Sequence, residues 1–211
     1  MPLLIAVSGF KDSGKTSLAR ALLTELSGRG LSLAFMKHTD RDVLSPAGTD
    51  TGGIESQGIP CAYWGNDGLR MEMHAAAPNR DTIAALFPEK DIVIVEGAKS
   101  ISMPRIWVGS AESAPPEVKG VFACFDRAAE KGDGRFLYVP GEENELADRI
   151  AAFHERFANV WCVRVAVRGK RLPLKPFVAE MIRGSIAGLL LPLKGIDSLK
   201  EGADIHLARS E

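Results

Sequence analysis

The sequence predicts an α/β fold, a mostly parallel sheet flanked by helices, followed by a small α+β module. Three observations predict it. Short apolar runs alternate with segments of helical periodicity along most of the 211 residues. One run, Asp91-Ile92-Val93-Ile94-Val95, is continuous and β-branched, the pattern of a central parallel strand buried on both faces. The first run, Leu3 to Val7, leads through a glycine-bearing loop straight into a helical segment.

In chain order, Leu3 to Val7 reads as a buried strand. Ser17 to Ser27 is a helix, with Leu18, Leu22, Leu23 and Leu26 at helical spacing and Gly28 and Gly30 as its stop. Leu31 to Lys37 is a second strand. Thr39 to Gly53 is polar, with proline and glycine, and reads as loop; a short helix covers Thr51 to Gln57. Cys61 to Trp64 and Leu69 to Met73 are short strands joined by Gly65-Asn66-Asp67-Gly68, residue types that suit a hairpin turn. Arg80 to Leu86 is helical, Asp91 to Val95 is the central strand, and further strands are expected at Arg105 to Val108, Val118 to Cys124 and Phe136 to Val139. Glu142 to Phe157 places Leu146, Ile150, Phe153 and Phe157 on one helical face. That helix closes a first domain, residues 1–158.

Residues 159–211 differ in character. Trp161 to Val167 alternates as a strand, Arg168-Gly169-Lys170 suits a turn, Leu172 to Leu174 returns, and Pro176 opens a helix with one apolar stripe through Phe177, Val178, Met181, Ile182, Ile186, Leu189 and Leu190. From Val160 onward there are nine Lys and Arg against five Asp and Glu, and before it 17 against 22. The extension is basic on an acidic domain, as a solvated face or as a surface for an acidic partner.

Composition sets bounds. With 45% apolar and 25% charged residues and a net charge of -1, the chain is an ordinary globular protein with no global field for nucleic acid. Cys61, Cys124 and Cys162 lie far apart without C-x-x-C spacing, which points to buried free thiols rather than disulfides or a zinc site. The N-terminal MPLLIAVSGF has no cationic leader, and Ile186 to Leu193 is interrupted by Gly188 and Pro192 and too short for a bilayer. A cytoplasmic protein without membrane or nucleic-acid partners is expected.

The chemistry sits in Gly9-Phe10-Lys11-Asp12-Ser13-Gly14-Lys15-Thr16, which fits G-x-x-x-x-G-K-[ST] at every fixed position and in the required strand-loop-helix setting. It predicts a P-loop NTPase. Glycine lets the backbone wrap a phosphate chain and aim N–H groups at it, and the following helix adds its positive end. Lys15 neutralises terminal phosphate charge; Thr16 offers a hydroxyl to Mg²⁺; Ser17 continues the cradle. A second signal is the strand ending in Glu96-Gly97, because such strand-end acids hold Mg²⁺ directly or through water. A third is Lys37-His38-Thr39-Asp40, with Asp50 further on. Lys37 and His38 can meet phosphate and Asp40 or Asp50 can serve metal, or these residues cap loops and turns. No Asn-Lys pair occurs, so N-K-x-D gives no guanine assignment. Position 10 is Phe, not the extra lysine of partition ATPases, and Arg127 to Arg135 is too acidic for a kinase lid.

Together, GFKDSGKTSL, the strand ending in MKHTD, the acidic loop reaching Asp50, and DIVIVEGAK resemble the MobB family, molybdopterin-guanine dinucleotide biosynthesis protein B, over roughly residues 3 to 108. Arg41 stands where that family often carries His or Asp, so the carry-over rests mainly on Lys15, Thr16 and Glu96. The resemblance implies a GTP-binding accessory protein with weak GTPase activity, which assists a MobA-type molybdopterin nucleotidyltransferase and forms a homodimer. Two other readings stand beside it. One is an ATP-dependent small-molecule kinase or ligase with a pocket near Glu96 and Lys99; the other is a nucleotide-gated scaffold acting through its basic tail.

Overall fold

The computed structural model describes residues 1–74, 79–158, 163, 165–167, 170–199, 203 and 205. The chain divides into two compact units, Met1–Phe157 and Ala158–Glu211.

The first unit is a six-stranded sheet in which every neighbouring pair runs parallel. Its strands are β1 (Leu3–Gly9), β2 (Leu33–Lys37), β5 (Ile92–Glu96), β6 (Arg105–Val108), β7 (Val121–Phe125) and β8 (Leu137–Tyr138), in the order β2-β5-β1-β6-β7-β8. All seven residues of β1 are buried, as are all five of β5, because helices cover both sheet faces and leave no polar side. Alternation sorts the side chains. Leu3, Ile5, Val7, Ile92 and Ile94 point to the layer formed by α1 (Lys15–Gly28) and α4 (Glu143–Ala158), where they meet Leu18, Leu22, Leu26, Leu146 and Ile150. Leu4, Ala6, Val93 and Val95 point the other way and meet Ile83 of α3 (Arg80–Leu86), with Met103 and Ala98.

Element ends move for identifiable reasons. The second strand begins at Leu33 rather than Leu31, because Leu31 N–H still bonds the Leu26 carbonyl at 3.4 Å and Ser32 bonds Asp91. The strand expected from Val118 begins at Val121, after a Pro115–Val118 turn and Gly120, whose φ of 79° breaks extended geometry. Between β2 and α3 lie α2 (Asp50–Glu55) and the hairpin of β3 (Cys61–Trp64) and β4 (Leu69–Glu72), closed by Gly65 N–H on the Gly68 carbonyl at 2.9 Å. The Cys61 and Cys124 thiols are free and buried; burial, with Asp126 adding, pushes Cys124 up to about 11. Cys162 lies outside the described residues.

In the second unit, β9 (Val165–Val167) pairs antiparallel with β10 (Lys170–Leu172), and α5 (Pro176–Leu190) starts on its proline. The strand expected from Trp161 and the turn at Arg168-Gly169 fall partly outside the described residues. The apolar period of α5 does form a helix, yet none of its residues is buried, and Phe177 and Leu189 are largely exposed. Among the described residues no helix is long and apolar enough to cross a membrane.

Candidate functional site

Parallel strands deliver their carboxyl ends to one edge of the sheet, where the Gly9–Thr16 loop, Lys37, His38 and Glu96 lie. β1 ends at Gly9, where a Cβ would lie 2.6 Å from both Ser13 Oγ and the Val108 carbonyl, so only glycine lets the loop fold back over the strand. Asp12 (φ 59°) and Gly14 (φ 95°) take left-handed conformations that reverse the chain into α1. Gly14 occupies the N-cap without any side-chain cap, and the first turn holds no acid. The leading amides of this 14-residue helix are therefore uncommitted to side chains and carry its positive end. Ser13 Oγ is buried within the loop and has no hydrogen-bond partner among the described residues.

Lys15 folds back to donate to the Phe10 carbonyl. Its ammonium sits below the ordinary lysine value, chiefly through partial burial; Lys99 and Lys37 push the same way, while Glu96 and Asp12 oppose them. Thr16 Oγ donates to Glu96 Oε2 at 2.9 Å, and Lys37 Nζ stands 3.1 Å from Glu96 Oε1. Register explains the meeting: Glu96 on β5 is level with Val7 on β1 and with Lys37 on β2. The Glu96 carboxylate is only 5% exposed while the Lys37 side chain is 55% exposed, so the pair spans the boundary between core and solvent. Gly97 follows at φ 91°, packed so closely that a Cβ would lie 2.9 Å from the His38 carbonyl. His38 joins this edge through its backbone, its N–H bonding the Glu96 carbonyl at 2.9 Å, while its side chain is exposed.

Lys11, Asp12 and Ser17 lie exposed along the loop and first helical turn. Asp40 and Asp50 are exposed, and among the described residues no hydrogen bond or ion pair joins either to Thr16 or Glu96. Asp50 opens α2, but the capping side chain there is Thr49, whose hydroxyl accepts from Gly52 N–H at 3.1 Å. Thr39 Oγ accepts from Arg41 N–H at 3.2 Å, a local turn. Among the described residues no group of three or more His, Cys, Asp or Glu is arranged around a common metal position. A P-loop ion needs no such cluster, since it takes one hydroxyl, one acid, phosphate oxygens and water.

Sequence reasoning missed Arg105, Ser8 and the aromatic pair beside the loop. Arg105 is fully buried, pushed below the ordinary arginine value by desolvation, and has no carboxylate partner among the described residues. It donates instead to the carbonyls of Ala98 (3.1 Å), Ile101 (2.7 Å) and Lys119 (3.2 Å) and to Ser8 Oγ, which in turn donates to the Gly97 carbonyl. The guanidinium thus staples the loop after β5 to the base of the phosphate loop. Its only sequence trace is a charged residue opening an otherwise apolar strand, RIWV. Phe10 stacks edge-on to Trp107 at 5.4 Å, and Lys99 Nζ lies over both rings at 5.0 and 5.7 Å. Trp107 was legible only as strand core; its indole N–H donates to Ser113 Oγ at 2.9 Å.

A family model described as MobB, molybdopterin guanine dinucleotide synthesis protein B, matches residues 4–122, more than half of the chain. The chain is similar to a protein of Methanocaldococcus jannaschii provisionally named a molybdopterin-guanine dinucleotide biosynthesis adapter protein, at 21% identity over 93% of this chain and 94% of that relative. It is also similar to the molybdopterin-guanine dinucleotide biosynthesis adapter protein of Haemophilus influenzae, at 28% identity over 54% of this chain and 66% of the relative. Among solved structures, a MobB protein homolog from Bacillus stearothermophilus aligns with a TM-score of 0.53 at 18% identity, over 72% of this chain and 98% of its own. MobB of Bacillus subtilis aligns with a TM-score of 0.54 at 22% identity, over 72% and 97%. These structural likenesses show a shared fold.

Proposed function

The chain belongs to the MobB family, and from that premise we propose that it binds GTP with Mg²⁺ at the Gly9–Thr16 loop and serves the nucleotidyltransferase that joins GMP to molybdopterin. Family membership makes it an adapter protein of molybdopterin guanine dinucleotide biosynthesis on a P-loop nucleotide-binding fold. The guanine base, the ion, slow hydrolysis, a MobA-type partner and a homodimer are our reading.

The observation that carries it is the Thr16–Glu96 hydrogen bond beside the uncapped start of α1. A hydroxyl and a buried carboxylate are hard oxygen donors suited to Mg²⁺, and the uncommitted amides with the orphaned Ser13 hydroxyl suit phosphate oxygens. Thr16 and Glu96 are the residues to hold the ion, which when bound neutralises charge on the β- and γ-phosphates. Lys15 exchanges the Phe10 carbonyl for a terminal phosphate oxygen, and Lys37 supplies a second cation at the same edge. Glu96 is committed to Thr16 and Lys37 rather than free to orient a water, which supports slow turnover.

Calorimetric titration of GTP and ATP with Mg²⁺ into wild-type protein and Lys15→Ala tests the reading. GTP is expected to bind more tightly and K15A to lose most of the affinity. Preferential ATP binding refutes the guanine assignment, and unchanged binding by K15A refutes the site. Co-purification of the full chain with a pterin nucleotidyltransferase in GTP-Mg²⁺ tests the partner.

A second reading, a scaffold that meets its partner through the extension, is favoured by one observation: α5 forms yet buries none of its apolar residues. It is compatible with the first, since an adapter needs a contact surface.

A further inference from the structure

We infer that Arg127, which follows β7, is a nucleotide-contacting residue that closes the bound phosphate loop ligand from the side opposite Glu96. This rests on the nucleotide-binding reading above and assigns that site a second wall.

The sheet order places β5, with Glu96, on one side of β1, and β6 then β7 on the other. β7 therefore stands two strands, about 10 Å, from the strand that feeds the loop. An arginine side chain spans much of that gap, and it does so here: a Cβ on Gly14 would lie 3.1 Å from Arg127 Cδ and 3.2 Å from its Nη1. The guanidinium thus lies across Gly14, the residue whose left-handed turn opens the uncapped helix. Its root is held firmly. Asp126 N–H donates to the Tyr138 carbonyl at 2.9 Å, and the Asp126 carboxylate accepts from Ala128 N–H at 2.9 Å, so the chain leaves β7 in a fixed direction.

What the guanidinium lacks is as informative as where it lies. Among the described residues no hydrogen bond or ion pair engages Arg127, whereas Lys15 and Lys37 both have protein acceptors and Arg105 has six. An exposed arginine ordinarily extends into water. One laid over a glycine at the positive end of a helix gains no charge partner among the described residues and is repelled by the dipole. A polyanion seated on the loop supplies that partner, with five N–H donors available to phosphate oxygens and a flat face available to the base. Gly14 gives the close approach that this placement requires.

The test uses the full-length protein and measures the Kd for GTP with Mg²⁺ and for inorganic triphosphate, in wild type and in Arg127→Ala, Arg127→Met and Arg127→Lys. Charge-assisted contacts of this kind predict about a tenfold or greater rise in Kd for R127A. R127M keeps the aliphatic packing on Gly14 but no charge, and an equal loss there assigns the effect to the guanidinium. R127K is expected to recover part of the affinity. Loss of triphosphate affinity as well as GTP affinity identifies a phosphate contact, and loss of GTP affinity alone identifies a base contact; both support the inference. GTP affinity retained within about twofold in R127A or R127M, while K15A loses binding, overturns it and leaves the nucleotide site standing. Wild-type protein that binds no nucleotide refutes the underlying reading instead.

Discussion

Replacing Glu96 by Gln separates the carboxylate's structural role from its metal role. In the fold Glu96 Oε1 faces Lys37 Nζ at 3.1 Å, a gross attraction of about 5 kcal/mol at an effective dielectric near 20. Most of that is offset. The carboxylate is nearly fully buried and the Lys37 side chain is 55% exposed, so desolvation of the acid and hydration of the lysine bring the net contribution to roughly 0–1 kcal/mol. The Thr16 hydroxyl keeps an acceptor, because the Gln amide oxygen can take the 2.9 Å bond, while the more than half-exposed Lys37 turns its ammonium to water, away from the amide NH2. E96Q is therefore expected to unfold within about 1 kcal/mol of wild type while losing a negative oxygen donor that a divalent cation needs. Chemical denaturation gives the first quantity. Nucleotide affinity measured across a Mg²⁺ series gives the second, with a shift of about tenfold or more in the Mg²⁺ concentration required. A variant that keeps the wild-type Mg²⁺ dependence, or collapses in stability, refutes the assignment of Glu96 as a metal-side residue at a tolerant position.

Two further expectations concern the frame and the extension. Asp91 is buried enough to raise its carboxyl, but the Ser32 N–H and hydroxyl at 2.7 and 2.8 Å, with His154 and Lys90, outweigh that and hold it below the usual aspartate value. A depressed folded-state value means the contribution is present above the unfolded value near 4 and is lost as pH falls through the folded one; Asp91→Asn should cost about 1 kcal/mol at pH 7 and progressively less below about pH 4, and a difference independent of pH would contradict this. In the extension, Phe177→Ser with Leu189→Ser in the full chain should leave GTP affinity unchanged and abolish capture of the nucleotidyltransferase if α5 is the contact surface; retained capture removes the scaffold role.

Much of the candidate site's placement was legible because its determinants are local. A phosphate loop is one contiguous segment whose glycines, lysine and threonine act within eight positions, and a β-branched run ending in acid and glycine marks the strand beside it. Lys37 was legible as a strand end, and the parallel register with Glu96 turned that into a 3.1 Å pair. Arg105 and Arg127 were not legible, because their roles depend on neighbours far away in sequence. Arg105 reaches Ser8 across 97 positions, and Arg127 reaches Gly14 only because β7 lies two strands from β1. The α5 helix was legible from its proline and its apolar stripe, but its exposure was not: periodicity fixes which face of a helix is apolar and not whether anything covers it.

The electrostatics of the loop point to its ligand more strongly than any single contact does. Lys15, Lys37 and Lys99 converge on one sheet edge, close enough that Lys99 and Lys37 lower the Lys15 value, with the positive end of α1 directed at the same place. Among the described residues Glu96 is the buried acid set against them, and it is already shared between Thr16 and Lys37. Such an excess of positive charge in a half-buried setting opposes folding, and the buried apolar residues of the parallel strands offset it. A ligand of several negative charges relieves all of these repulsions at once. Binding therefore should stabilise the first unit in proportion to ligand charge, with triphosphate above diphosphate above monophosphate in thermal-shift measurements at fixed saturation. A flat dependence on charge would mean that contacts to the nucleoside, rather than the cationic edge, hold the ligand.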